Sequence, residues 1–126
     1  MFELRAHPKI VIDLENGLYQ FAPVSGSGKS YMVSIIKRLA SAGLEIGAYS
    51  YRDYVSGMKL EQVLTPGCRV AIIDEYGLYE GCGRETIRAF LDHGIVIIDH
   101  KNGLGCLDLP YRVVELSMEQ DRLWVR

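Results

Sequence analysis

The residues Ser25-Gly26-Ser27-Gly28-Lys29-Ser30 restrict this chain more than any other run. They supply the last three fixed positions of the phosphate-cradling pattern G-x-x-x-x-G-K-[ST], as Gly28, Lys29 and Ser30. Pro23 stands where the pattern has its first glycine. Gly26 and Gly28 have no Cβ, so the amides around them can turn inward on a phosphate at the start of a helix. Lys29 adds a mobile point charge, and the Ser30 hydroxyl suits Mg²⁺. Pro23 offers no amide, but its fixed φ suits a turn. The plain alternative is a Gly/Ser loop before a helix that contains Gly-Lys-Ser by chance.

The order of elements around this loop indicates an α/β fold. Lys9 to Leu14 reads as a strand, and Glu15-Asn16-Gly17 carries an Asn-Gly hairpin signal. Leu18 to Pro23 then returns as a second strand that feeds the loop. From Ser30 to Gly43, Met32, Ile35, Ile36, Leu39 and Ala40 recur at helical spacing. Leu44 to Tyr51 is a short strand, Met58 to Leu64 a helix, and Thr65-Pro66-Gly67 a turn. Val70 to Ile73 and Ile95 to Ile98 are continuous apolar runs, as buried parallel strands require. Between them, Arg84 to His93 is an amphipathic helix with Ile87, Ala89, Phe90 and Leu91 inward. Asn102 to Cys106 is a Gly-rich turn. Tyr111 to Leu116 and Arg122 to Val125 read as a closing antiparallel hairpin, turning near Glu119 to Asp121.

Length and composition bound the rest. The 126 residues, 48% of them hydrophobic, are expected to form one domain, 1–126, without metal or disulfide staples. The net charge of −2 argues against a strongly basic nucleic-acid face, leaving nucleic acid as a ligand only through a partner. Cys68, Cys82 and Cys106 lack a C-x-x-C pair and read as thiols of a reducing compartment, so a cytoplasmic setting is expected. No leader or membrane span is expected.

Alternating strands and helices predict a mainly parallel sheet, whose ligands bind at the carboxyl ends of its strands. The Gly-Lys-Ser loop, Asp74-Glu75 and Asp99-His100 all fall at such ends. Asp74 follows four apolar residues and lies 45 residues after Lys29. A carboxylate there can hold Mg²⁺, and Glu75 can accept a proton from an attacking water. The bland reading is a solvated Asp-Glu pair.

Gly26 to Ser30 (GSGKS) and Ala71 to Glu75 (AIIDE) resemble the P-loop NTPases, specifically the additional-strand branch with a catalytic glutamate. The resemblance implies that the Ile95–Ile98 strand lies between the P-loop strand and the Asp74 strand. It also implies that His100 faces the γ-phosphate. Within that branch, which includes RecA-like and AAA+ ATPases, the N-terminal hairpin, the run Ile95 to Lys101 and the closing hairpin look like a minimal ATP-binding-cassette-like (or RecA/AAA+-like) ATPase core. The helical subdomain and signature sequence of that family are missing; Val55-Ser56-Gly57-Met58-Lys59 is a faint echo of the latter or a helix cap. Tyr19 or Phe21 could stack a base or pack the core.

The resemblance implies a small Mg²⁺-dependent ATP-binding protein with slow intrinsic ATPase activity. Ser25, Gly26, Ser27, Gly28, Lys29, Ser30 and Tyr31 would bind ATP. Ser30 and Asp74 would hold Mg²⁺, and Glu75, Lys29 and His100 would serve catalysis. A homo-oligomer or protein partner would supply a trans-acting group, for which Arg52, Arg69, Arg84 and Arg88 are candidates. Tyr51, Tyr54, Tyr76 and Tyr79 read either as a partner surface or as packing. The alternatives are a non-hydrolysing nucleotide switch and a small-molecule or nucleoside kinase.

Overall fold

A computed structural model of the chain describes residues 2–4, 9–22, 45–79, 83–100 and 103–126. The expected loop, Pro23 to Tyr31, and the expected helix, Ser30 to Gly43, lie outside the described residues. So do His7, Cys82 and Lys101-Asn102.

The described residues form an α/β structure with two sheets. The larger contains β3 (Gly17–Phe21), β4 (Ile46–Tyr49), β5 (Val70–Ile73), β6 (Ile95–Ile98) and β7 (Arg112–Val114). Its strand order is β4-β5-β6-β3-β7, and every pairing is parallel. β6 therefore lies between β3 and β5, as expected. The smaller sheet contains β1 (Phe2–Leu4), β2 (Lys9–Ile12), β8 (Leu116–Glu119) and β9 (Arg122–Val125), in the order β1-β2-β9-β8.

Burial explains the central strands. Val70 to Ile73 and Ile95 to Ile98 are buried at every position, so each strand is covered on both faces. Val70, Ile72, Ile95 and Ile97 join Ile10, Ile12, Leu123 and Val125 in the layer between the two sheets. Ala71, Ile73, Val96 and Ile98 join the opposite layer with Ile87, Phe90, Leu104 and Leu107. Tyr19 and Phe21 are buried in the inter-sheet layer, which makes them core residues.

The hairpin expected between Lys9–Leu14 and Leu18–Pro23 does not form. β2 pairs with β1 antiparallel and with β9 parallel, whereas β3 lies between β6 and β7 in the other sheet. Leu18 to Phe21 are buried on both faces, and neighbours on both edges satisfy that demand better than one hairpin partner. The closing hairpin does form, as β8 and β9, with Gln120 and Asp121 both in the left-handed region at φ 52° and 61°. Its first strand starts later than expected. Arg112 to Val114 belong to the larger sheet, and the chain changes sheets at Glu115, which exchanges main-chain bonds with Arg126.

Two helical expectations also change. The segment from Tyr51 to Leu64 forms α1 (Tyr51–Val55) and a 3₁₀ turn at Leu60–Gln62, not a helix over 58–64. Asp53 accepts from the Ser50 amide at 2.9 Å and so caps α1, and Gly57 at φ 91° follows its end. The Val55 to Lys59 echo is thus the end of a short helix and the chain beyond it. In α2 (Arg84–Phe90), Ile87 and Phe90 are buried, but Ala89 is exposed and Leu91 only half-buried.

Two stability outcomes follow. Ile97→Ala, at a fully buried position on a central strand, should cost about 3 kcal/mol in urea unfolding. Asp121→Gly should stabilise by about 1 kcal/mol, because glycine takes a left-handed turn position without a Cβ penalty.

Candidate functional site

The site is built by the ends of parallel strands. Ile73 of β5 and Ile98 of β6 are register partners, so Asp74 and Asp99 follow side by side at the carboxyl edge. The ladder continues one residue past each strand. The Asp99 amide donates to the Ile73 carbonyl at 2.9 Å, and the Asp74 amide donates to the Tyr49 carbonyl at 2.8 Å. Because β3 is parallel to β6, its carboxyl end lies on the same edge. Ala22, the last described residue before Pro23, donates its amide to the Val114 carbonyl at 2.8 Å.

At Glu75 the strand stops. Its φ of 55° is left-handed, which for a non-glycine residue costs about 1 kcal/mol. Several bonds hold this bend. The Glu75 amide donates to the Asp74 carboxylate at 3.0 Å, and the Tyr76 amide donates to the Asp99 carbonyl at 3.1 Å. The Tyr79 hydroxyl donates to the Asp74 carbonyl. The outcome is a half-buried Asp74 beside an exposed Glu75. The backbone at Glu75 is left-handed, so simple strand alternation does not describe how it follows Asp74.

Asp74 carries the clearest electrostatic signature. Burial pushes its carboxyl above the usual aspartate range, with repulsion from Asp99 and then Glu75 adding to the effect. A side-chain hydrogen bond with Asp99 acts in the same direction, and the donated bond from the Glu75 amide opposes it. Two adjoining carboxylates are hard oxygen donors of the kind a divalent cation takes. Mg²⁺ therefore fits the chemistry of the edge. Among the described residues no cluster of three or more metal-ligating side chains occurs, and Ser30, the other expected ligand, lies outside them.

His100 lies one residue beyond Asp99, with its side chain 3% exposed and its ring centroid 5.6 Å from that of Tyr76. Its main-chain carbonyl accepts a 2.9 Å bond from the Gln20 side-chain amide. Gln20 was not among the sequence candidates. Its signal was a lone amide within an apolar strand, because a buried polar side chain needs a partner.

The tyrosines divide between packing and surface. Tyr76 and Tyr79 are buried, and burial pushes the Tyr79 phenol above its ordinary range. Tyr51 and Tyr54 are exposed, with ring centroids 6.4 and 5.3 Å from that of Tyr79. The arginine candidates differ in their commitments. Arg84 donates to the Leu107 carbonyl at 2.7 Å and pairs with Glu85, so it anchors the 3₁₀ turn at Leu104–Leu107. Arg88 also pairs with Glu85, and Arg69 with Glu45. Arg52 is exposed on α1. Cys68 is buried with its thiol pushed up to about 11, chiefly by desolvation, so it is a poor nucleophile.

Clefts lined by described residues include two that contain neither Asp74 nor Asp99. One, of about 440 Å³, is lined by Asp13, Glu15, Tyr19, Arg112 and Arg126 among others. The other, of about 400 Å³, includes Glu61, Thr86, Phe90 and His93. Among the described residues no helix is long and apolar enough to cross a membrane. No protein-family model, curated protein or solved structure matches the chain.

The raised Asp74 carboxyl makes a signed prediction. The unfolded chain releases this proton near pH 4, whereas the folded chain holds it to higher pH. Wild-type stability should therefore fall as pH rises from about 4 through the folded-state value, and then level off. Without divalent cations, Asp74→Asn should melt above wild type at pH 7, and the two should converge below about pH 4. Melting curves across that range check it; equal melting at pH 7 would contradict the assigned environment.

Proposed function

We propose that the carboxyl edge of the larger sheet is a nucleoside-triphosphate site and that the protein is a slow Mg²⁺-dependent ATPase. The observation that supports this best is the meeting of two strand ends with a third. Asp74 and Asp99 adjoin at the ends of β5 and β6, and β3, which ends on the same edge, precedes Gly-Lys-Ser in the sequence. The strand order, with β6 between β3 and β5, is the order that the P-loop NTPase reading requires. The chemical reading then follows from residue types. Lys29 and the amides of Ser25 to Tyr31 would bind the phosphates.

Ser30 and Asp74 would hold Mg²⁺, which supplies charge neutralisation for the phosphate oxygens when bound. Glu75, exposed beside Asp74, would orient a water and accept its proton. The water oxygen bonds to the γ-phosphorus while the bridging P–O bond breaks, giving ADP and inorganic phosphate. His100 would respond to the γ-phosphate. The rate would be low alone, because positioning and charge stabilisation carry this chemistry and no arginine of the described edge is assigned to it. A second copy or a protein partner would supply the missing cation.

A non-hydrolysing nucleotide switch is the second reading. It is favoured by the burial of the His100 side chain against Tyr76, which ties nucleotide state to packing rather than to chemistry.

Mg²⁺-ATP hydrolysis measured against protein concentration separates the two. The ATPase reading expects turnover that rises with concentration or added partner. Glu75→Gln should then lower kcat about a hundredfold or more while retaining nucleotide binding. Lys29→Ala should abolish binding. Tight binding without turnover in wild type would select the switch, and no binding would end the nucleotide reading.

A further inference from the structure

We propose that the cleft of about 440 Å³ between the two sheets binds a free α-amino acid with an apolar side chain, taking its carboxylate on Arg112 and its ammonium on Asp13 and Glu15. The proposal does not rest on the nucleotide reading, since the lining includes neither Asp74, Glu75 nor Asp99.

Both sheets build the cleft. Ile12 and Val125 are the last register partners of β2 and β9, so Asp13 and Arg126 follow together at one end of the smaller sheet. Tyr19 and Arg112 are register partners of β3 and β7 in the larger sheet. Tyr19 and Val114 are buried in the inter-sheet layer, and Leu14 packs against it, so the floor is apolar. The rim is charged, with Asp13, Glu15, Arg112 and Arg126 all exposed. An apolar floor with a few convergent polar groups, in a volume of roughly 300–1,000 Å³, is the usual form of a small-molecule site.

Tyr19, only 2% exposed, organises the charges. Its hydroxyl donates to the Glu15 carbonyl at 2.8 Å and accepts from Arg112 at 3.4 Å. The Arg112 guanidinium lies 5.6 Å from the Tyr19 ring centroid. One buried phenol thus ties the segment after β2 to β7. Arg126 is committed elsewhere, to Glu119 at 2.8 Å and to the Trp124 ring at 4.6 Å. Arg112 is not: among the described residues it pairs with no carboxylate, and Asp13 and Glu15 pair with no cation. Opposite charges therefore line one cleft without meeting. A lone anion would be drawn to Arg112 and repelled by Asp13 and Glu15, and a lone cation the reverse. A zwitterion satisfies both, and its side chain covers the floor.

The test is amide-resolved NMR of the full-length chain titrated with L-leucine. Isocaproate, which keeps the carboxylate, and isoamylamine, which keeps the ammonium, are the comparison probes. The expected result is saturable shifts at Asp13 to Tyr19 and Arg112 to Val114, with L-leucine bound about tenfold or more tighter than either probe. Arg112→Gln should weaken L-leucine about tenfold and leave isoamylamine unchanged. Asp13→Asn combined with Glu15→Gln should weaken L-leucine and isoamylamine and spare isocaproate. These substitutions fall on exposed side chains, and melting checks the fold; the comparison of probes on wild type stands without them. Absence of saturable shifts with L-leucine, equal affinity for a single-charge probe, or wild-type affinity in both folded variants overturns the proposal. Tighter binding of inorganic phosphate than of L-leucine would make the cleft an anion site and overturn it as well.

Discussion

The in-register parallel pairing of β5 with β6 is the constraint on which the candidate site depends. Four buried residues on each strand, Val70 to Ile73 and Ile95 to Ile98, leave the pair no tolerance for slippage. A one-residue shift would exchange the inter-sheet face with the face toward α2. The same register delivers Asp74 and Asp99 to one edge as neighbours. Apolar packing, which is individually unspecific, thereby fixes the spacing of two carboxylates that repel each other. Burial first, and then repulsion from Asp99, raises the Asp74 carboxyl, and the bond from the Glu75 amide offsets part of this.

The bend after β5 turns this packed frame into a site. Glu75 sits in a left-handed conformation, and the hydrogen bonds around it tie the Asp74 to Tyr79 segment to itself and to the end of β6. Such strain persists only where its surroundings over-determine it. Here the surroundings are aromatic: Tyr79 adjoins Tyr49, Tyr54 and Tyr76, and Tyr76 adjoins His100. The edge is thus a hydrogen-bonded shelf with an exposed Glu75 at its rim. Gln20 extends the hydrogen bonding across to β3.

Much of the frame was legible in the sequence, for identifiable reasons. Uninterrupted apolar runs bounded by acidic residues gave β5 and β6 almost to the residue, because strands buried on both faces need no alternation. The adjacency of Asp74 and Asp99 followed once β6 was put beside β5. The N-terminal hairpin does not form because Asn16-Gly17 is only a local signal. The competing signal, full burial of Leu18 to Phe21, becomes visible only when the sheet that buries them is known. The split of Tyr111 to Leu116 between two sheets was hidden for the same reason, since one short extended run can serve either sheet. Met58 to Leu64 reads as a helix from its spacing, but the Ser50–Asp53 cap starts the helix upstream and Gly57 at φ 91° follows its end. Gln20 escaped notice because one amide in a strand says nothing about a carbonyl 80 residues away.

Hydrogen–deuterium exchange, with and without a non-hydrolysable Mg²⁺-ATP analogue, tests the central claim most directly. The account predicts slowed exchange together at Gly26 to Ser30, at Asp74 to Tyr76 and at Asp99 to His100, and no change at the Arg112 and Arg126 cleft. Protection confined to that cleft, or no change anywhere at saturating nucleotide, would contradict a nucleotide site at the carboxyl edge.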